Sequence, residues 1–209
     1  MKPQEIEQES MRIIESELKE MGLFEDIAPE NLSLVKRAIH ASADFDYAKN
    51  LIFSHDPVAA GLKSLSLKTP IITDTKMIVS GISKTALNFL ETSAQSFVSD
   101  PGVVALAKSS GNTRSKLAMQ KALAEFPEAI YVIGNAPTAL IEIHDWIKVG
   151  KARPSLVIGC PVGFVNVIES KELILEAGVP SIVAKGRKGG STIAVSLINA
   201  LLYKLYQRK

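Results

Sequence analysis

Apolar and polar residues alternate along the first part of the chain with the period of a helix. Residues 2–21 carry apolar side chains at roughly helical spacing among Glu and Lys, and a second such segment begins at Pro29 and ends near His40. Both patterns predict amphipathic helices. Residues 54–57 indicate the start of a further helix, because proline is favoured in a first helical turn. We therefore predict a helical N-terminal region.

The pattern changes after Pro70, where short apolar runs replace the helical spacing. The runs occupy residues 70–73, 94–98, 129–133, 155–159 and 181–184, of which the second is the least apolar. Apolar runs without polar alternation are typical of strands covered on both faces, as in parallel sheets. The segments between the runs are long enough for crossover helices. We predict an α/β fold: a doubly wound, mainly parallel sheet of about five strands flanked by helices, with residues 1–209 forming a single domain.

Charge and composition narrow the choice of partners. The 24 basic and 22 acidic residues leave a formal net charge of +2, so the chain lacks the basic surplus of a nucleic-acid-binding domain. There is no apolar run of membrane-spanning length and no signal-peptide pattern, which predicts a cytoplasmic protein with no membrane partner. The single cysteine, Cys160, excludes an intrachain disulfide and a thiolate metal cluster.

Three of the predicted strands end in a glycine-containing turn that leads into a helix. These turns cover residues 134–138, 159–166 and 185–192, and the third also contains Lys185, Arg187 and Lys188. Glycine lets backbone N–H groups approach a ligand, and a helix N-terminus adds further donors. The carboxyl ends of parallel strands share one sheet edge, so the three turns predict a crevice for anionic groups. The alternative is that these glycines only shape ordinary strand–helix turns.

The sequence of these turns does not indicate that the anion is a nucleotide. No Gly-x-x-x-x-Gly-Lys-Ser/Thr or Gly-x-Gly-x-x-Gly spacing occurs. Residues 110–115 add a fourth candidate, because Asn112 or Thr113 can cap a helix and leave Arg114 in its first turn. A cation there opposes the helix dipole. A bound anion explains Arg114 better than helix stability does, although a solvated surface arginine remains the alternative.

The chain has three histidines, which are the default proton donors and acceptors near neutral pH. His40 is predicted to close a helix, where the dipole favours the imidazolium, and Asp44 and Asp46 would act in the same direction if they lie close. The alternative for His40 is a helix cap without chemistry. His55 is expected to cap a helix or face solvent, and His144 to pack in a helix. The three share no metal-ligand spacing, so no protein-bound metal is predicted.

Eight short segments, in their order along the chain, are more specific than any single glycine turn. They are residues 37–41, 73–78, 81–82, 111–115, 134–140, 161–165, 169–171 and 186–191. On these segments the chain resembles the precorrin-8X methylmutases of cobalamin biosynthesis, from about Ser10 to Leu201.

The resemblance implies an isomerase that moves a methyl group from C11 to C12 of precorrin-8X or cobalt-precorrin-8, giving hydrogenobyrinate or cobyrinate. It implies that His40 performs acid–base catalysis by protonating a ring nitrogen next to the migrating centre. It also implies no cofactor, with any cobalt belonging to the substrate, and we expect the cobalt-containing substrate. The implied assembly is a homodimer with the active site near the subunit interface.

The corrinoid substrate is a flat apolar macrocycle fringed by acetate and propionate groups, which suits the predicted anion-binding turns. By resemblance, Ser10 contacts the substrate, Ser83 stands where relatives can carry threonine, and Arg114 binds a carboxylate. The segment after His40 is variable in the family. The complete set of expected substrate-binding residues is Ser10, Ser83, Arg114, Gly134, Asn135, Ala136, Pro137, Thr138, Gly163, Gly186, Arg187, Gly189, Gly190 and Ser191.

Two other functions stay open at this point. A non-enzymatic tetrapyrrole-binding or handover protein of the same fold would bind the corrinoid without rearranging it. An enzyme for phosphorylated metabolites would also use anion-binding turns, although the missing phosphate-loop spacing argues against it.

Overall fold

The structure, a computed structural model, describes residues 3–206, and the side chains of residues 5–206. Lys2, which we included in the first predicted helix, lies outside the described residues. The strands are β1 Leu51–Ser54, β2 Ile71–Thr73, β3 Ala94–Gln95, β4 Ile130–Ile133, β5 Leu156–Gly159 and β6 Ser181–Ala184. The helices are α1 Pro3–Glu20, α2 Pro29–Ser42, α3 Tyr47–Asn50, α4 Pro57–Ser66, α5 Lys76–Gly81, α6 Lys84–Phe89, α7 Pro101–Ser110, α8 Arg114–Glu125, α9 Pro137–Lys148, α10 Val167–Glu176 and α11 Ser191–Leu205.

The strands form one sheet in the order β1-β6-β5-β4-β2-β3. The five strands that we predicted are all present and pair in parallel, which confirms the mainly parallel α/β fold. The prediction missed β1, a sixth strand that pairs with β6 in the antiparallel direction. Only Leu51 of this four-residue edge strand is buried, so it lacks the continuous apolar run of the other strands.

Helices cover both faces of the sheet, as a doubly wound fold requires. Val132 and Ile158 belong to the hydrophobic core under α2, α4 and α11. Tyr131 and Val157, the neighbouring strand residues, belong to a second core under α8, α9 and α10. Because successive strand residues point to opposite faces, burial of both sets explains why β4 and β5 read as uninterrupted apolar runs.

The N-terminal helices pack against the last helix of the chain. Helix α2 lies along α11, and α1 lies on α2. An ion pair joins Arg37 to Glu7, and Lys36 pairs with Glu15 at 2.8 Å. The second predicted helix ends two residues beyond His40, at Ser42, where the next residue takes a left-handed conformation.

These ion pairs predict a dependence of stability on acid pH. Hydrogen bonds from Lys36 and Lys19 lower the pKa of Glu15 from 4.5 to about 2. Stability from this carboxylate is therefore fully present above pH 4.5 and is lost as the pH falls towards the folded-state value of about 2. Glu15→Gln is expected to lower the melting temperature at pH 7 slightly, and to flatten its decrease on acidification.

Thermal unfolding at several pH values checks this prediction. Glu17→Gln, at an exposed position of the same helix, is the matched control. Because Glu15 is about one-third exposed, solvent screening keeps the effect small. A melting temperature that falls equally steeply with acid in the Glu15→Gln and unsubstituted proteins would contradict the assignment.

None of the helices described between residues 3 and 206 is long and apolar enough to cross a bilayer.

Candidate active site

The glycine turns after β4, β5 and β6 meet at one edge of the sheet, as the parallel strand order predicts. The N–H of Gly190 donates to the carbonyl oxygen of Cys160 at 2.7 Å, and the N–H of Gly163 donates to that of Arg187 at 3.2 Å. A Cβ atom at Gly134 would lie 2.7 Å from the Cα of Ser191. These contacts join the three turns into one surface at this edge of the sheet, here called the crevice, which holds most of the expected substrate-binding residues.

Gly189 is the most tightly constrained position of the crevice. Its φ of 156° lies in a region that side chains rarely adopt, and a Cβ atom would overlap the carbonyl oxygen of Cys160. The following residue, Gly190, also has a positive φ, of 118°. The last turn therefore requires glycine for its conformation and for its close approach to the turn after β5.

Gly189→Ala is accordingly expected to destabilise the fold and to displace the turn after β6. The overlap with backbone leaves no flexible side chain to yield, so we expect a loss of about 2–4 kcal/mol in the free energy of unfolding. Gly150→Ala is the control, because Gly150 has a φ of 70° but no atom within 4 Å of the added methyl group. Urea unfolding compares the two variants, and equal losses would contradict the assigned overlap.

The turn after β4 is bound by a carboxylate of the protein itself. The N–H groups of Gly134, Asn135 and Ala136 donate to the two carboxylate oxygens of Asp74 at 3.0, 2.8 and 2.7 Å. Asp74 follows β2 directly and is 2% exposed. Burial raises the pKa of this carboxyl group, and the three N–H donors oppose that rise.

This arrangement corrects the sequence-based interpretation of the turn. We expected its N–H groups to bind an anionic ligand, but Asp74 already accepts their hydrogen bonds. A contribution to ligand binding from this turn would come from side chains such as exposed Asn135, or Thr138. Asp74 belongs to the segment 73–78 that carries the resemblance, but no role was predicted for it, although an acidic residue directly after a buried strand is a usable signal.

Arg114 lies beside the same turn. Thr113 caps α8 by accepting a hydrogen bond from the N–H of Lys116 at 3.2 Å, which confirms one of the two expected caps. The Thr113 hydroxyl lies 3.3 Å from that of Thr138, in the first turn of α9. Arg114 is the first residue of α8 and is exposed. Arg114 is therefore an exposed cation at the start of a helix that contacts the turn after β4.

The last turn supplies one exposed arginine and one internally paired lysine. Lys188 donates to Asp44 and to Asp46, at 2.6 Å each. These contacts raise the pKa of Lys188 and lower that of Asp44. Asp44 and Asp46, which would act on His40 only if they lay close to it, bind Lys188, so Lys188 pairs with carboxylates of the protein itself. Arg187 remains exposed, with its guanidinium 5.3 Å from the ring centre of Phe164.

His40 lies in the last turn of α2 and is exposed. Among the described side chains, residues 5–206, its imidazole makes no hydrogen bond or ion pair. The chain after it reaches the carboxyl edge, since Asp44 binds Lys188 and the Asn50 carbonyl accepts from the N–H of Lys185 at 2.7 Å. His40 is therefore an accessible imidazole one turn before the segment that borders the crevice.

The other two histidines are placed elsewhere. His55 follows β1, and because β1 is antiparallel to β6, it lies at the opposite edge of the sheet. His144 lies seven residues into α9, about 10 Å along the helix from the crevice, with Nδ1 3.2 Å from a carboxylate oxygen of Asp145. His55 is exposed and His144 lies within a helix, as expected, and the absence of a chemical role for either stays a prediction.

The structure does not bring every expected residue into the crevice. Ser83 caps α6, and its N–H donates to Asn199 at 2.9 Å. Asn199 lies eight residues along α11 from Ser191, so Ser83 is about 12 Å from the crevice along that helix.

Ser10 lies on α1, which packs against α2. Its hydroxyl donates to the carbonyl of Ile6 at 2.8 Å. Glu7, one turn before Ser10 on α1, pairs with Arg37, which lies one turn before His40 on α2. An open cavity of about 860 Å³ lies nearby between α1, α2 and the end of α11. Its lining includes neither His40 nor the glycine turns, so it is separate from the crevice.

The crevice rim also exposes apolar side chains. Val162, Phe164 and Val165 of the turn after β5 are 51%, 82% and 77% exposed, and Met77 of α5 is 67% exposed. In the described part of the chain, no group of three or more His, Cys, Asp or Glu side chains is placed to hold a metal ion. The arrangement combines an exposed imidazole, exposed guanidinium groups and an apolar rim, which suits a ligand with an apolar body and anionic substituents.

Comparison with known proteins identifies a family. The profile of the precorrin-8X methylmutases matches residues 5–204. A cobalt-precorrin-8 methylmutase of Priestia megaterium is 39% identical over 96% of this chain and 88% of its own length. That of Salmonella typhimurium is 40% identical over 97% and 96%. A solved structure of precorrin-8X methylmutase from Thermus thermophilus superimposes with a TM-score of 0.88 at 41% identity, covering 95% of this chain and 94% of that one. With both the sequence and the fold matched over nearly the whole length, the chain belongs to the precorrin-8X methylmutase family.

Proposed function

We propose that this isomerase of cobalamin biosynthesis converts cobalt-precorrin-8 by moving a methyl group from C11 to C12, which gives cobyrinate. The observation that carries the proposal is the family match over residues 5–204 together with two curated relatives named as cobalt-precorrin-8 methylmutases. Those two names favour the cobalt-containing substrate, whereas the Thermus thermophilus structure is named for precorrin-8X, so both substrates belong in the test.

The exposed apolar and basic side chains around the crevice support a corrinoid substrate. The exposed side chains of Val162, Phe164 and Val165 offer an apolar surface to the face of a macrocycle. Arg187 and Arg114 are exposed beside the glycine turns, and guanidinium groups bind carboxylates through paired N–H donors. Acetate and propionate groups at the periphery of the ring would meet these cations.

His40 is the proposed general acid. Its imidazole is accessible and lies at the end of α2, next to the segment that borders the crevice. Protonation of a ring nitrogen beside C11 makes the macrocycle electron-poor, which lowers the barrier to breaking the C11–methyl bond and forming the C12–methyl bond. The proton returns to His40 afterwards, so the reaction conserves all atoms and requires no organic cofactor.

The assembly that fits the site best is a homodimer with the active site near the subunit interface. Two features support it: Ser83 lies away from the crevice of its own chain, and Phe89 on the adjoining helix α6 is 62% exposed. Exposed apolar residues of this size are typical of protein interfaces. The cytoplasmic location stays a prediction.

Incubation of the purified protein with cobalt-precorrin-8, and separately with precorrin-8X, tests the proposal. Conversion of the cobalt-containing substrate to the corrin chromophore in the absorption spectrum is the expected result. A ligand that binds but keeps its spectrum would instead support the tetrapyrrole carrier. Faster conversion of precorrin-8X would contradict the assignment of the cobalt-containing substrate.

A further inference from the structure

A buried lysine outside the crevice binds the turn that carries Arg187. Lys171 lies on α10 and is 1% exposed. Its ammonium donates to the carbonyl oxygens of Gly186 at 2.7 Å and Lys188 at 2.8 Å. Burial lowers the pKa of this lysine to about 8. Lysine is almost never fully buried without a charged partner, so a residue held only by backbone carbonyls within the described chain calls for an explanation.

The turn that Lys171 binds has little conformational preference of its own. Gly186, Gly189 and Gly190 have φ values of 79°, 156° and 118°, and glycine is the residue with the greatest backbone freedom. A segment with three such residues needs contacts from outside to hold one conformation. The Lys171 ammonium supplies two of them from a neighbouring helix.

The two carbonyls that Lys171 binds stand on either side of Arg187. Fixing the peptide groups of Gly186 and Lys188 fixes the backbone of Arg187, and with it the direction of that side chain. The same contacts fix the start of the Lys188 side chain, which holds Asp44 in the segment after His40. The buried ammonium thus connects α10 with Arg187 and, through Lys188, with the segment after His40.

We propose that Lys171 is a positioning residue, whose buried ammonium holds the turn after β6 so that Arg187 faces a carboxylate of the substrate. Lys171 is too deeply buried to meet the substrate and acts through the turn. This inference rests on the proposed function, because it takes Arg187 as a carboxylate-binding residue.

Lys171→Met tests the inference, since methionine fills a similar volume without the ammonium. The substitution leaves the carbonyl oxygens of Gly186 and Lys188 without this donor, so thermal unfolding first establishes that the variant folds. Loss of one oriented, charge-assisted contact to the substrate is expected to raise KM about 10- to 100-fold, with kcat changed less than KM. Lys148→Met, at an exposed position in the last turn of α9, is the control and should leave KM unchanged.

A double-mutant cycle with Arg187→Ala separates a positioning role from a general structural one. If Lys171 acts through Arg187, Arg187→Ala alone raises KM, and the double variant is no more than about twofold worse than Arg187→Ala. Effects that multiply would overturn the inference, as would a Lys171→Met chain that does not fold. If KM rises in Arg187→Ala but does not change in Lys171→Met, the positioning role of Lys171 is overturned and the proposed function is not affected. An unchanged KM in Arg187→Ala would remove the proposed carboxylate contact as well.

Discussion

His40→Ala is expected to lower turnover by about 10²–10⁴-fold, the usual contribution of general acid–base catalysis. Its melting temperature should stay close to that of the unsubstituted protein, because the imidazole is exposed and makes no hydrogen bond or ion pair among the described side chains, residues 5–206. The substrate should still bind, since the arginines and the apolar rim are intact. Single-turnover absorption measurements with cobalt-precorrin-8 give the rate, and thermal unfolding gives the stability.

The matched control for His40→Ala is His55→Asn. His55 has a φ of 59°, a left-handed conformation that asparagine tolerates better than alanine. It lies at the opposite edge of the sheet, so turnover should not change. Unchanged turnover in His40→Ala would exclude His40 as the acid, and an equal loss in both variants would point to a general effect of removing a histidine.

Asp74→Asn is expected to cause the largest loss of stability. An amide has one oxygen where the carboxylate has two, and its NH₂ group would face N–H groups of the turn that Asp74 now binds. Loss of charge-assisted hydrogen bonds and a buried donor without a partner together cost about 3–5 kcal/mol. For a domain of this size, this lowers the melting temperature by roughly 10 °C.

Thermal and urea unfolding measure this loss, with exposed Asp26→Asn as the control. Turnover should fall as well, because the turn after β4 borders the crevice. A melting temperature within 2 °C of the control, on the order of 1 kcal/mol or less, would mean that the turn keeps its conformation without the carboxylate.

The sheet was largely predictable because its strands are buried on both faces. Residues 129–133 and 155–159 read as uninterrupted apolar runs, and both form parallel strands with four buried residues each. Edge strand β1 has one buried residue and gives no such signal. The convergence of the glycine turns followed from the parallel order alone, since strand polarity determines which loops meet.

The partners of buried and charged groups were not predictable, because they depend on contacts between residues far apart in sequence. Asp74 binds a turn 60 residues later, and Lys188 binds aspartates more than 140 residues earlier. Asp44 and Asp46 follow His40 closely in sequence, which suggested only that they could act on it if they also lay close in space. In the folded chain both aspartates accept hydrogen bonds from Lys188, so proximity in sequence did not indicate the partner of these carboxylates.

The expected substrate-binding residues also fall into two groups, those whose position follows from the parallel sheet and those expected from family resemblance alone. Residues next to glycine turns, such as Arg187 and Ser191, meet at the crevice because the sheet places them there. Ser83 was expected from family resemblance alone and lies about 12 Å away along α11. The assignment of residues 1–209 to a single domain stays a prediction.

Transfer of a labelled methyl group tests the central claim most directly. Cobalt-precorrin-8 carrying ¹³C in the methyl group at C11 is incubated with the protein, and the product is analysed by ¹³C NMR. We predict that the label appears intact at C12 with the unsubstituted protein, and at a rate about 10²–10⁴-fold lower with His40→Ala. A label that stays at C11 while the ligand is bound by the unsubstituted protein would contradict the proposed methyl transfer.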